Sequence, residues 1–262
     1  MARFDFTDAA ATGYGYIWKE RTDIASLAAM PFLVKIGSFA AIMFLGLEAN
    51  ILRQGLILLP AYLLEGFIVA LVIRMFVFNE RFAGLLDSGR VNEAIFPEPQ
   101  RRSIMAGVIV YVMTKLATSL MAGSMMVAEA VETSPMMPEP NGSVFITSLM
   151  ILVFMLWAFR FFWLYVPAAM GIPPGVFLER IKGFTTSFYL LALWLMCFVP
   201  MMVVLVAAAK LLGVVFPGAE AGDRSPIFII LMAGVQSGVE LVVSLVSAVA
   251  MAQAIRSVFL GK

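Results

Sequence analysis

Residues 61–76 read AYLLEGFIVALVIRMF, an apolar run that contains a carboxylate, Glu65, and an arginine, Arg74. With its flanks the run covers residues 55–78, more than the about 20 apolar residues that a helix needs to cross a bilayer. In lipid every backbone N–H and C=O must be bonded within the segment, so the run predicts a transmembrane helix. Its carboxylate then lies deep in the membrane and requires a partner.

The composition extends this prediction to the whole chain. Hydrophobic residues make up 62% of the 262 residues, charged residues make up 13%, and the mean hydropathy is +0.97. Soluble domains have about 45–50% apolar and about 25% charged residues, so we expect one integral membrane domain over residues 1–262. A net charge of +1 gives no reason to expect a nucleic-acid partner. Membrane lipids and other membrane proteins are the expected partners.

The fold class predicted is an all-α, polytopic membrane protein with six transmembrane helices and short cytoplasmic interfacial helices. The first span contains Pro31 and Lys35, and its rival interpretation is the apolar core of a signal peptide. Lys35 is expected to extend its ammonium to the nearer membrane surface. The predicted spans are 27–47, 55–78, 103–128, 144–166, 185–209 and 226–255.

The connections between these spans alternate in charge, which predicts their orientation. Eleven cations fall on one side, whereas the loop 129–143 on the other side has none. By the positive-inside rule both termini are cytoplasmic, and the expected location is the bacterial inner membrane. The eleven cations are Arg3, Lys19, Arg21, Arg81, Arg90, Arg101, Arg102, Arg180, Lys182, Arg256 and Lys262.

Three segments outside the spans predict interfacial helices or belts. Residues 78–96 form the first, with apolar and polar residues on opposite sides, and the aromatic and basic residues of 14–21 form the second. They are interpreted as membrane anchors, or else as docking faces for a cytoplasmic partner or anionic head groups. The third has apolar residues at helical spacing: Phe177, Ile181, Phe184 and Phe188.

Charged residues at matched depth predict a cluster inside the bundle. Glu65, Lys115 and Glu240 each lie about 18–22 Å from the cytoplasmic ends of their spans. We expect the three to meet, with Gln236 on the same face as Glu240 and one glutamate left protonated. Two interpretations stay open. The cluster fixes helix register, or it lines a path for protons or a solute.

Other features of the spans have structural explanations. Arg74 and Arg160 are expected to extend to the interface, and aromatic neighbours also predict cation–π contacts for Arg160. Gly234 and Gly238 form a GxxxG pair, which favours helix packing within the bundle over dimerisation. The 19 methionines form no regular ladder, so copper transport is a minor alternative.

The chemistry of known catalytic motifs is missing from the sequence. There is no HExxH motif, no GxSxG followed by a histidine and no phosphate-binding loop. The chain has no histidine and one cysteine, Cys197, so no disulfide, no Cys/His metal site and no cofactor are expected. We therefore expect a non-enzymatic membrane protein of scaffold or accessory type, with a small transporter or channel as the alternative.

Three stretches carry a resemblance to a known group, and one of them is PEPQRRSI at 97–104, the entry to the third predicted span. GYIWKERTDIASLAAMPFL at 15–33 and RFFWLYVPAAMGIPPGVFLERIKGFTTSFYLLALW at 160–194 combine aromatic–basic segments with a proline exit and a Gly-Pro elbow. This layout resembles bacterial six-span inner-membrane proteins similar to the membrane domain attached to some glycerophosphoryl diester phosphodiesterases. The resemblance implies the architecture. The catalytic domain of those enzymes is absent here, so their activity is not implied.

Overall fold

A computed structural model describes residues 5–47, 50–80, 98–132, 142–181, 183–216 and 225–260. All regular structure in these ranges is helical, which confirms the all-α class. One segment, Phe159–Trp163, is a 3₁₀ helix. The α-helices are α1 (Phe6–Lys19), α2 (Arg21–Phe44), α3 (Ile51–Phe78), α4 (Glu98–Glu132), α5 (Gly142–Ala158), α6 (Tyr165–Ala169), α7 (Pro174–Arg180), α8 (Phe184–Val215) and α9 (Pro226–Leu260).

Five of the described helices, α2, α3, α4, α8 and α9, are long and apolar enough to cross a membrane. The protein is therefore a multi-span membrane protein by helix length and composition. The fourth predicted span, 144–166, is not one continuous helix, because α5 ends at Ala158 and the 3₁₀ helix follows. Pro167 prevents one α-helical hydrogen bond at the end of the 3₁₀ segment. It has no N–H to offer the carbonyl of Trp163, and its ring crowds that carbonyl.

Helix α3 is the centre of the bundle. It packs against α2, α4, α6 and α9, and Val69, Leu71, Val72 and Ile73 are fully buried. The stretch 61–76 is apolar on all sides because neighbouring helices, rather than lipid, surround much of it. Any polar group at its centre must therefore be paired within the protein.

Helix α1 lies against the C-terminal half of α9 and also contacts α8. The Asp5 carboxylate caps its start by accepting from the Thr7 hydroxyl and the Thr7 and Asp8 N–H groups, and these bonds lower the pKa of Asp5. A Cβ at Gly13 would lie 2.7 Å from the backbone oxygen of Val246, so only glycine allows this close approach. The predicted aromatic belt at 14–21 is thus partly a helix contact.

Arg74 joins the ends of three elements. Its guanidinium makes two hydrogen bonds of 2.9 and 2.6 Å to the Glu80 carboxylate. It also donates to Ser103 Oγ of α4 at 3.0 Å and to the carbonyl of Ala169 in α6 at 3.3 Å. Arg74 is buried by these partners, all of which lie at helix ends, and its predicted extension to the interface stays a prediction. The contacts also place the start of α4 and the end of α6 at one end of the bundle.

The predicted interfacial helix through Phe177 and Phe188 is two helices. Helix α7 ends at Arg180, and α8 begins at Phe184. Phe177 and Ile181 are buried, whereas Phe184 and Phe188 are exposed, so the four do not share one surface. Most of the predicted segment 78–96 lies outside the described residues.

The glycines of the GxxxG pair face α2. A Cβ on Gly234 would be 3.8 Å from Ile36 Cδ1, and one on Gly238 would be 3.5 Å from Phe32 Cε2. The pair thus supports helix contact inside the bundle.

Candidate functional site

The centre of the site is Lys35, which stands between two carboxylates from different helices. Its Nζ is 2.7 Å from Glu65 Oε2 of α3 and 2.9 Å from Glu240 Oε2 of α9. Only 1% of the Lys35 side chain and 0% of the Glu65 side chain are exposed. The prediction that Lys35 extends to the membrane surface is therefore wrong. Helix α2 begins at Arg21, which places Lys35 about 21 Å along the helix axis, too deep to reach that end.

Helix α4 contributes Tyr111 and Lys115, which share a face because they are one helical turn apart. The Tyr111 hydroxyl donates to Glu65 Oε1 at 2.6 Å, and Lys115 Nζ lies 3.7 Å from the same oxygen. Gly66 makes room for this approach, since a Cβ there would lie 2.9 Å from Tyr111 Cδ1. Both Glu65 oxygens are thus occupied.

Helix α9 contributes a polar row at four-residue spacing, Gln236, Glu240 and Ser244. The Gln236 amide donates to Glu240 Oε1 at 3.1 Å, opposite the oxygen that contacts Lys35. Lys115 Nζ donates to Ser244 Oγ at 3.2 Å, and Ser244 Oγ is 3.1 Å from the Tyr111 hydroxyl. These contacts close one network across α2, α3, α4 and α9. We call its seven residues the charge cluster: Lys35, Glu65, Tyr111, Lys115, Gln236, Glu240 and Ser244.

The charge cluster is electrically balanced. Two ammonium groups face two carboxylates, so each Glu65 and Glu240 negative charge has a positive partner. The prediction of one leftover, protonated glutamate assumed a single lysine, and Lys35 removes that reason. Balanced charge and hydrogen bonding lower the cost of placing these groups away from water.

Access to the charge cluster differs between its two sides. Lys35 and Glu65 are closed off, whereas 27% of the Lys115 side chain and 34% of the Glu240 side chain are exposed. Exposing a charge to the hydrocarbon centre costs about 2.5–3.5 kcal/mol on insertion scales. Lys115 and Glu240 therefore form the less covered side of the charge cluster, and a polar neighbour there would lower the cost of their charges.

No family model, curated protein or solved structure matches this chain. The resemblance to the membrane domain of glycerophosphoryl diester phosphodiesterases therefore stays a prediction.

The four residues predicted from sequence, Glu65, Lys115, Glu240 and Gln236, all lie in the charge cluster. Lys115 contacts Glu65, but the cation on Glu240 is Lys35. Charge balance carried a signal, because two carboxylates and one ammonium at one depth leave either a protonated glutamate or a place for a second cation. The four-residue spacing of Tyr111 with Lys115, and of Ser244 with Glu240, was a second signal.

Arg160 lies outside the charge cluster, in the 3₁₀ helix. Its guanidinium stacks on Trp157 at 4.3 Å and lies 5.4 Å from the Phe161 ring centre, which confirms the predicted cation–π contacts. Among the described residues, no group of three or more His, Cys, Asp or Glu side chains is arranged to hold a metal ion.

Proposed function

We propose that this protein is a small, non-enzymatic membrane transporter or channel whose path passes the charge cluster. One observation carries the proposal: ionisable groups at the centre of the bundle are closed on the Glu65 side and open on the Glu240 side. Charged residues inside membrane spans commonly mark ion or proton pathways, since their cost is hard to justify by packing alone.

The hydrogen bonds within the charge cluster suit proton movement. Tyr111, Glu65, Lys35, Glu240 and Gln236 are joined in sequence by contacts of 2.6–3.1 Å. Each ionisable member can take or release a proton while its neighbour compensates the charge. Protons are therefore the first species to test, alone or coupled to a solute.

The proposal includes a sixth crossing and an orientation. Its support is the position of α4 and α6: Arg74 bonds to Ser103 near the start of α4 and to Ala169 at the end of α6. The chain between them leaves that end of the bundle along α4 and returns to it through α5. The excess of cations in the predicted loops supports cytoplasmic termini in a bacterial inner membrane.

Proton flux into liposomes tests the proposal. Liposomes carrying the purified protein, a pH-sensitive dye and an imposed potential should acidify faster than empty liposomes. Glu240→Gln and Glu65→Gln should each reduce the rate to that of empty liposomes, because neither amide can exchange a proton in this pH range. The matched control is Glu179→Gln, an exposed glutamate on α7, which should leave the rate unchanged.

Equal acidification by the wild type and empty liposomes would reject proton transport. An equal loss in Glu179→Gln would show that the assay reports general damage. Folding of each variant is checked by size-exclusion chromatography before reconstitution.

A scaffold or accessory role is the second candidate, and the balance of charge in the cluster favours it. Two lysines and two glutamates satisfy one another without any ligand and tie four helices together. For a scaffold, the wild type should give no proton flux above empty liposomes. Lys35→Met should lower the stability of the protein.

A further inference from the structure

A second site lies between α5 and α8, away from the charge cluster. An open groove of 390 Å³ runs there, within the about 300–1,000 Å³ range of ligand pockets. All its lining side chains are apolar, and five of them, from Leu149 to Trp157, follow one side of α5 for about 12 Å. The lining residues are Leu149, Met150, Val153, Phe154, Trp157 and Phe184.

A buried cation stands at one end of this groove. Trp157 forms the end of the lining, and the Arg160 guanidinium stacks on that ring at 4.3 Å. Arg160 Nη1 donates a long hydrogen bond of 3.4 Å to the carbonyl of Ile181. Ile181 lies three residues before Phe184, which lines the groove. The groove is therefore apolar along its length and has a positively charged side chain at one end.

Among the residues that the structure describes, Arg160 has aromatic neighbours but no carboxylate partner. Only 8% of the residue is exposed, its Nε has no hydrogen-bond partner and no carboxylate in the described ranges forms an ion pair with it. Trp163 lies on the same side of the 3₁₀ helix, three residues on, and its indole N–H also has no partner among described groups. A buried charge without a counter-charge is costly, so this position favours an anion.

From this geometry we infer that the groove binds an anionic glycerophospholipid, with an acyl chain along α5 and the phosphate at Arg160. Charge decides between lipids, because a zwitterionic head group brings its own cation, whereas phosphatidylglycerol offers net negative charge. Trp157, which stacks on Arg160, and Trp163, three residues further on, are of the residue type enriched at the membrane interface, where phosphates lie. The inference does not depend on transport through the charge cluster.

Native mass spectrometry of delipidated protein tests the site. Wild type should retain phosphatidylglycerol over phosphatidylcholine with the same acyl chains. Arg160→Gln should lower that preference about tenfold or more, since one charge-assisted bond is lost. Arg160→Lys should keep part of it. The matched control, Arg21→Gln, removes another arginine that stacks on a tryptophan, Trp18 at 5.1 Å, and should leave the preference unchanged.

A second variant, Val153→Trp, fills the groove and keeps the test decisive even if Arg160→Gln does not fold. It leaves the arginine in place and should reduce retention of both lipids. Equal retention of the two lipids by wild type, or an unchanged preference in Arg160→Gln, would overturn the proposal. Displacement of the lipid by millimolar inorganic phosphate would show a phosphate site instead. Loss of a dimer mass in Val153→Trp, with lipid unchanged, would assign the groove to a second copy.

Discussion

Lys35 is the residue on which the charge cluster depends most. Among the described cations, Lys35 alone lies within 2.9 Å of a carboxylate oxygen of Glu65 or Glu240, and it contacts both. Lys115 Nζ is farther from Glu65, at 3.7 Å, and donates a hydrogen bond to Ser244 Oγ. The two lysines therefore differ in role: one compensates charge in a closed space, and the other lies at the accessible edge.

Replacing Lys35 with methionine should destabilise the protein by about 3–5 kcal/mol, because it leaves buried carboxylates with too few cations. Lys115→Met should cost less, since its ammonium is partly exposed. The measurement is the free energy of unfolding in mixed micelles of increasing dodecyl sulfate content. Lys19→Met, at an exposed lysine on α1, is the control and should be near neutral.

A double variant separates charge from packing. Lys35→Met with Glu65→Gln removes one charge of each sign, so it should be more stable than Lys35→Met alone. If the double variant is no more stable, the loss comes from packing around residue 35, and the charge explanation fails.

At the scale of elements, hydropathy predicted the long spans well because lipid sets both their length and their composition. Predicted span 55–78 lies within α3, and predicted span 226–255 lies within α9. The start of α2 was less predictable: Arg21 and Asp23 lie inside the helix but outside any apolar run. That early start changed the depth assigned to Lys35, and with it the composition of the site.

The contact between α1 and α9 was beyond sequence reasoning for a different reason. Small residues on α1, such as Ala9, Ala10 and Gly13, carry little hydropathy signal, yet they allow close backbone approach. The sequence shows that Gly13 is small, but only the structure shows that Val246 lies against it.

Two glycines on α1 give a sharp test of that contact. Gly13→Ala should loosen α1 from α9, because the added methyl would meet a backbone oxygen at 2.7 Å, which cannot move away cheaply. Gly15→Ala has nothing within 4 Å and gains helix propensity, so it should be neutral or stabilising by up to about 1 kcal/mol. Thermal unfolding in detergent compares the two variants. Equal destabilisation would contradict the close-contact explanation.

At the scale of the whole molecule, the charge cluster joins α2, α3, α4 and α9 at the centre, while Arg74 joins α3, α4 and α6 at one end. These two polar groups fix how the apolar helices are aligned along their axes, which hydrophobic contact alone leaves free to slide in lipid. Among the described residues, helix α5 takes part in neither group, and its main contacts are with α8 and the 3₁₀ helix. The number of crossings therefore depends on the least anchored helix.

Cysteine labelling of intact spheroplasts distinguishes six crossings from five. The native Cys197 is buried, so it should give little background with a membrane-impermeant maleimide. With six crossings and cytoplasmic termini, Arg53→Cys should be labelled from outside, and Glu179→Cys only after the membrane is opened. With five crossings, in which α5 fails to span, Glu179→Cys would be labelled from outside and Ser257→Cys as well. That second pattern would contradict the position of Ser103 and Ala169 at the same end of the bundle, where both accept hydrogen bonds from Arg74.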